Sequence, residues 1–131
     1  MNTMRAIVVT RLGPPGALRL QQAAKPAPRP DEVLIRVHAA TVTAGDVVVR
    51  RLPFLVWLPL RLLIGLHRQR IPGHELAGVI ESIGSQVTRF QPSDGFFGTT
   101  AGRNAGDCAE YVSVPETRDE GVLATIPQGV S

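Results

Sequence analysis

Few side chains in this 131-residue chain have types and spacings that suggest chemistry. Cys108 is the only cysteine, so no intrachain disulfide can form and a disulfide-built secreted scaffold is excluded. On an apolar strand its thiol reads as inert. His74 and Glu75 are adjacent, and metals accept both imidazole and carboxylate. Two such donors without a third make neither a closed nor a catalytic zinc site, so no metal is expected. His74 is evenly poised between a hydrogen-bonded structural histidine and a pocket residue. Glu75, beside an apolar strand, reads first as a buried carboxylate paired with an arginine, because a buried charge needs a partner. Asp46 either binds backbone amides at a helix start or takes a catalytic part.

Two nucleotide fingerprints are absent. No two glycines stand two positions apart, so there is no G-x-G-x-x-G loop, and no G-K-[ST] occurs. The net charge is only +3, and thirteen of the fourteen basic residues are arginine, which lifts the pI without making the chain strongly cationic. The excess is local. Arg50, Arg51, Arg61, Arg68 and Arg70 fall in a stretch from Asp46 to Glu75 that has no carboxylate between its ends. That pattern reads as a solvated basic face, and no nucleic-acid partner is expected. The N-terminus lacks the long apolar run of a signal peptide. The longest uncharged apolar stretch, Leu52 to Leu60, is too short to span a bilayer and holds Pro53 and Pro59. A soluble cytoplasmic protein without a membrane partner is therefore the expectation.

The elements that must position these residues are short. Length fits one domain, 1–131, able to bury roughly two thirds of its unfolded surface. Thirteen glycines and eleven prolines suit strands joined by turns. Met4 to Thr10 reads as a strand, closed by Gly13-Pro14-Pro15-Gly16 and answered by a return strand over Leu18 to Gln21. Lys25 to Pro30 is a proline-rich connector. Glu32 to Thr41 alternates, with Val33, Ile35, Val37 and Ala39 on one face and Arg36 and His38 on the other, which puts His38 toward solvent. Ala44 to Arg51 is a short helix with Thr43 as N-cap. The prolines of Leu52 to Leu66 forbid one long helix there. Leu76 to Ile83, Phe96-Phe97, Cys108 to Val114 and Val122 to Ile126 complete a series of short strands, an all-β barrel or sandwich pattern.

Pro72 to Phe90 carries the most specific pattern. Gly73-His74-Glu75, Gly78, Gly84 and Val87 meet the spacing G-H-E-x-x-G-x-x-x-x-x-G-x-x-V. This resembles the signature of medium-chain alcohol dehydrogenases and quinone reductases. Val42-Thr43-Ala44-Gly45-Asp46 resembles the family's active-site turn, Ser93-Asp94-Gly95-Phe96-Phe97-Gly98 its G-D-x-V-F-G strand, and Cys108-Ala109-Glu110-Tyr111 its G-x-x-A-E-Y strand. The resemblance covers nearly the whole chain. It implies a mainly β, GroES-like distorted barrel with short helices, the N-terminal catalytic domain of such an enzyme. The family's Rossmann domain, which holds NADP(H) or NAD(H), is expected to be missing from this chain.

The departures from the family pattern point to a zinc-independent reductase. Thr43 stands where zinc-dependent members place a cysteine, three residues before the aspartate, and the structural zinc lobe has no cysteines here. Quinone-reductase relatives often carry asparagine at this place. The resemblance thus implies Thr43 as a neutral donor that polarises a carbonyl, with Asp46 and His74 in the same pocket and a small hydrophobic carbonyl, enone or quinone as substrate. Ser93 replaces the usual glycine before Asp94. The rival readings are a zinc alcohol dehydrogenase fragment recruiting His74 and Glu75, a free-standing interaction module, and a membrane-surface protein. Alone, the chain is expected to fold, to bind no nicotinamide cofactor usefully, and to self-associate through Leu52 to Leu66.

Overall fold

The computed structural model describes residues 2–11, 13–64, 71–100, 106–117, 123–127 and 129. The first strand, β1 (Thr3–Val9), buries Met4, Ala6 and Val8 in alternation. It pairs with β2 (Leu18–Ala24) in an antiparallel hairpin running from Val9↔Leu18 to Thr3↔Ala24. The turn between them includes one 3-10 turn at Pro15–Ala17, where the Ala17 amide donates to the Pro14 carbonyl at 2.9 Å.

The remaining strands form one antiparallel sheet. They are β3 (Glu32–Ala40), β4 (Glu75–Ile83), β5 (Gly95–Thr99), β6 (Tyr111–Pro115) and β7 (Leu123–Thr125), ordered β6-β3-β4-β5-β7. β3 lies between β4 and β6, which is why its Val33, Leu34 and Ile35 are all buried. Arg36 and His38 are exposed as expected, but Ala39, expected on the inner face with Val37, is exposed too, beyond a register shift between Val37 and Ala39 in the pairing with β4. Val33, Ile35, Leu76, Ile80, Phe90, Phe96, Val112 and Val114 make the core, with Phe90 and Phe96 edge to face at 5.8 Å. The hairpin is stitched to this sheet just ahead of β6. Ala6 bridges Ala109, Ile7 donates to the Cys108 carbonyl at 2.8 Å, and Glu110 donates to the Arg5 carbonyl at 3.0 Å.

Cys108 therefore precedes β6, which starts at Tyr111, instead of lying on a strand. The backbone at 108–110 bonds mainly to β1 and to Pro72, with the Glu110 carbonyl accepting from Val37 of β3, and the ladder with β3 starts at Tyr111. The motif residue Gly84 is there for space. A Cβ on it would lie 2.0 Å from the Arg29 carbonyl, where the proline-rich connector crosses. Ser93 takes φ 76, the left-handed region, in a turn whose Asp94 amide reaches the Gln91 carbonyl at 3.2 Å. With Pro92 ahead of it, Ser93 holds the turn position that favours glycine.

Among the described residues, two helices lie between β3 and β4. The first, α1 (Ala44–Arg51), begins at Thr43 as the sequence suggests, and Leu52-Pro53 separates it from α2 (Phe54–Ile64). Pro59 does not break α2. It removes the amide that would bond the Leu55 carbonyl, but the helix keeps its course through Ile64. Gly65 and Leu66 lie outside the described residues. Trp57 is buried and stacks on Phe54 at 6.0 Å, while Leu55, Leu62 and Leu63 are exposed at 84, 77 and 81%. The expected basic face is corrected at Arg50. Its side chain is buried and its guanidinium donates to the Gly13 carbonyl, tying α1 to the first hairpin turn. Arg51 is exposed; Arg68 and Arg70 lie outside the described residues, as does the side chain of Arg61.

Candidate active site

Thr43, Asp46 and His74 come together at the start of α1. The helix leaves its first amides without intrahelical partners, and Asp46 turns back to meet that need. Its Oδ2 accepts from the Thr43 amide at 2.8 Å and from the Thr43 hydroxyl at 3.0 Å. Its other oxygen, Oδ1, accepts from the Gly73 amide at 3.1 Å and lies 2.8 Å from His74 Nδ1. The helix-start reading of Asp46 is met by its bond from the Thr43 amide, and the same carboxylate also lies against the His74 imidazole. The Asp46 side chain is only 8% exposed, His74 25%. Burial opposes ionisation of Asp46, but the donors from Thr43 and Gly73, with His74 beside them, outweigh it and keep the carboxyl below its ordinary range.

The Pro72-Gly73-His74 turn is held from the other side by β5 and by the segment before β6. Thr100 donates its amide to the His74 carbonyl at 2.6 Å, Gly106 to the Gly73 carbonyl at 3.1 Å, and Cys108 to the Pro72 carbonyl at 3.0 Å. Gly73 has φ +108, and a Cβ there would lie 1.6 Å from Asp107 Oδ1. Only glycine fits.

Asp107 is the residue that sequence reasoning missed. It is fully buried together with Thr100. Burial, then the neighbouring charges of Asp46 and Glu75, push its carboxyl up to about 7, partly offset by Thr100. Its Oδ1 finds no donor among the described residues. A lone aspartate in a loop gives no sequence signal, and only the tertiary contact with Gly73 reveals it. Cys108, next in the chain, is raised to about 11 by burial and by Asp107 and Asp46, so its thiol stays protonated at neutral pH.

Glu75 departs from expectation. It is exposed and accepts from the Thr41 hydroxyl at 2.9 Å, and no arginine pairs with it among the described residues. The register at this end of the sheet, Glu75↔Thr99 with Thr41 alongside, puts it at the rim instead of in the core. An open groove of about 400 Å³ begins there, with Ala39, Ala77 and Phe97 among its mostly apolar walls. Among the described residues no group of three or more His, Cys, Asp or Glu is placed to hold a metal ion.

Chemically, the cluster offers an imidazole whose Nδ1 is turned to a carboxylate, leaving Nε2 as the other nitrogen. Beside it stands a hydroxyl whose single proton points to that same carboxylate.

Comparison with known proteins identifies the family of this fold. The sequence model of the alcohol dehydrogenase GroES-like domain matches residues 29–127. A quinone oxidoreductase of Rattus norvegicus is 34% identical over 139 aligned positions, covering 95% of this chain and 38% of its own length. The crystal structure of a quinone oxidoreductase from Coxiella burnetii superposes with a TM-score of 0.77 at 25% identity, over 99% of this chain and 39% of that one. Human synaptic vesicle membrane protein VAT-1 homolog-like protein superposes at 0.79 with 26% identity, over 100% of this chain and 37% of its own. This chain spans under two fifths of each of these relatives. It belongs to the alcohol dehydrogenase GroES-like domain family of the medium-chain dehydrogenase/reductases.

Proposed function

We propose that this chain is the acceptor-binding portion of a zinc-independent, NAD(P)H-dependent reductase of quinones, enones or other hydrophobic carbonyl compounds. The observation that carries the reading is the Thr43–Asp46–His74 cluster, with threonine where a zinc ligand would be needed. Quinone oxidoreductases among the relatives favour the same substrate class.

The chain's residues act on the acceptor alone. The nicotinamide cofactor does not fit the residues described here, since there is no glycine-rich loop and α1 caps itself with Asp46. A second domain is the proposed holder. Thr43 polarises the substrate oxygen by turning its O–H from Asp46 Oδ2 toward the developing negative charge. The Thr43 amide keeps its bond to Asp46 meanwhile, so the helix start is not lost. His74, fixed by Asp46, lines the same pocket and keeps one ring nitrogen free of that carboxylate.

The apolar outer side of α2 belongs to the same reading. Phe54, Leu55, Leu58, Leu62 and Leu63 leave large apolar area in water, which favours association with a second copy when nothing else covers it. The protein works in the cytoplasm in this proposal.

The test replaces Thr43 by Val and by Ser in the protein joined to its nucleotide-binding portion, with metal analysis of material purified without chelator. The expected result is metal-free protein, a fall in kcat of about 100-fold for Thr43→Val, and recovery with Thr43→Ser. Stoichiometric zinc, or full activity of Thr43→Val, rejects the proposal.

A further inference from the structure

The Thr100 hydroxyl lies between two acceptors it cannot serve together. It is 3.4 Å from Asp107 Oδ2 and 3.5 Å from the Gly73 carbonyl, and it has one proton to give. All three groups are shut away from solvent, so water cannot make up the difference. The Thr100 amide, one covalent unit from that hydroxyl, holds the His74 carbonyl at 2.6 Å.

We propose that Asp107 is a positioning residue for His74, acting through Thr100: the proton on its carboxyl selects which way the Thr100 hydroxyl donates. With Asp107 protonated, its O–H donates to Thr100 Oγ1 and Thr100 donates to the Gly73 carbonyl. The turn that carries His74 is then held by a chain of two hydrogen bonds. With Asp107 ionised, the Thr100 hydroxyl turns to Oδ2 because a charged acceptor wins over a neutral one. Gly73 then keeps only the Gly106 amide, and the Gly73-His74 turn loosens against Asp46. In the switch the Asp107 carboxyl O–H bond breaks and its proton passes to solvent; no other covalent bond and no oxidation state changes.

The switch is placed near neutrality by the surroundings of Asp107. Burial raises the carboxyl to about 7. Among the described residues, the charged and titratable groups facing it are Asp46 from α1, Glu75 at the start of β4, and Cys108 beside it, with His74 across the Gly73 turn; Thr100, just past the end of β5, is uncharged. Asp46 and Glu75 both oppose a second negative charge at this place.

This inference rests on His74 being part of the reactive cleft, but its test reads the imidazole directly and does not depend on the substrate. The protein is labelled with ¹³C and ¹⁵N, and the Asp107 carboxyl carbon and the His74 ring nitrogens are followed by NMR from pH 5 to 9. The expected result is an inflection in the His74 signals that tracks the Asp107 carboxyl. It is lost in Asp107→Asn and in Thr100→Val and restored in Thr100→Ser. Survival of the inflection in Thr100→Val overturns the proposal. If either variant fails to fold, the wild-type carboxyl carbon decides. A midpoint near the ordinary carboxylate value, or a His74 signal flat through the Asp107 midpoint, overturns the proposal as well.

Discussion

Gly73 and Asp107 occupy what is nearly a single space: the backbone of one, at φ +108, leaves no room for a methyl group beside the carboxyl of the other. The contact joins the motif that carries His74 to the segment that precedes β6. Gly73→Ala must therefore displace a fully buried carboxyl and strain its own backbone at once. A loss of roughly 3 kcal/mol or more is expected in urea denaturation. A variant as stable as the parent contradicts the contact.

Asp107 makes stability depend on pH with a definite sign. Its carboxyl is raised from an ordinary 3.8 to about 7 in the folded chain, so the folded state holds the proton longer than the unfolded state. The stabilisation is complete below about pH 4 and is lost progressively as pH rises to about 7. Asp107→Asn cannot ionise and is expected to flatten this fall, gaining on the order of a few kcal/mol over the parent at pH 8. Thermal melts at pH 4 and pH 8 measure it, and parallel curves for parent and variant count against a raised carboxyl.

Ser93 bears a cost that glycine would not. At φ 76 its Cβ crowds the backbone. Ser93→Gly is expected to stabilise the fold by about 0.5–1 kcal/mol with no change in the denaturant slope. A destabilised variant would mean that the serine side chain does more than fill the turn.

The outer side of α2 predicts association. Leu55 and Leu62 are exposed at 84 and 77%, and Leu55→Ser with Leu62→Ser is expected to lower the apparent mass in a light-scattering concentration series. Trp57 is buried, so its emission should be that of an apolar environment in both forms. A parent that stays monomeric at high concentration defeats this expectation.

Cofactor affinity is the last expectation. NADPH titrated into this chain alone should give no saturable signal, because hydride transfer needs both reactants fixed and the described residues fix only one side. Micromolar binding at one site per chain would show a nucleotide pocket among residues that have no fingerprint for it. The same chain should still unfold in one cooperative transition, since its core closes within its own strands.

Much of the architecture was legible in one dimension because it depends on local chemistry. The alternation in β1, the glycine-proline turn, Thr43 at the head of α1 and the glycine spacing after His74 each follow from short-range sterics or from one periodicity. Even the departure at Ser93 could be read as trouble in a turn. What lay beyond the sequence were the long-range meetings. Nothing local says that Asp107 comes to rest on Gly73, that Arg50 is buried against Gly13, or that Glu75 stays at the rim with Thr41 while His74 goes inward to Asp46. Nor could the proline rule foresee that α2 carries Pro59 without breaking. Those outcomes rest on which backbones the folded sheet brings within 3 or 4 Å. Burial, unlike residue type, is a property of the assembled fold. It is burial that raises the carboxyl of an unremarkable loop aspartate, Asp107, to about 7.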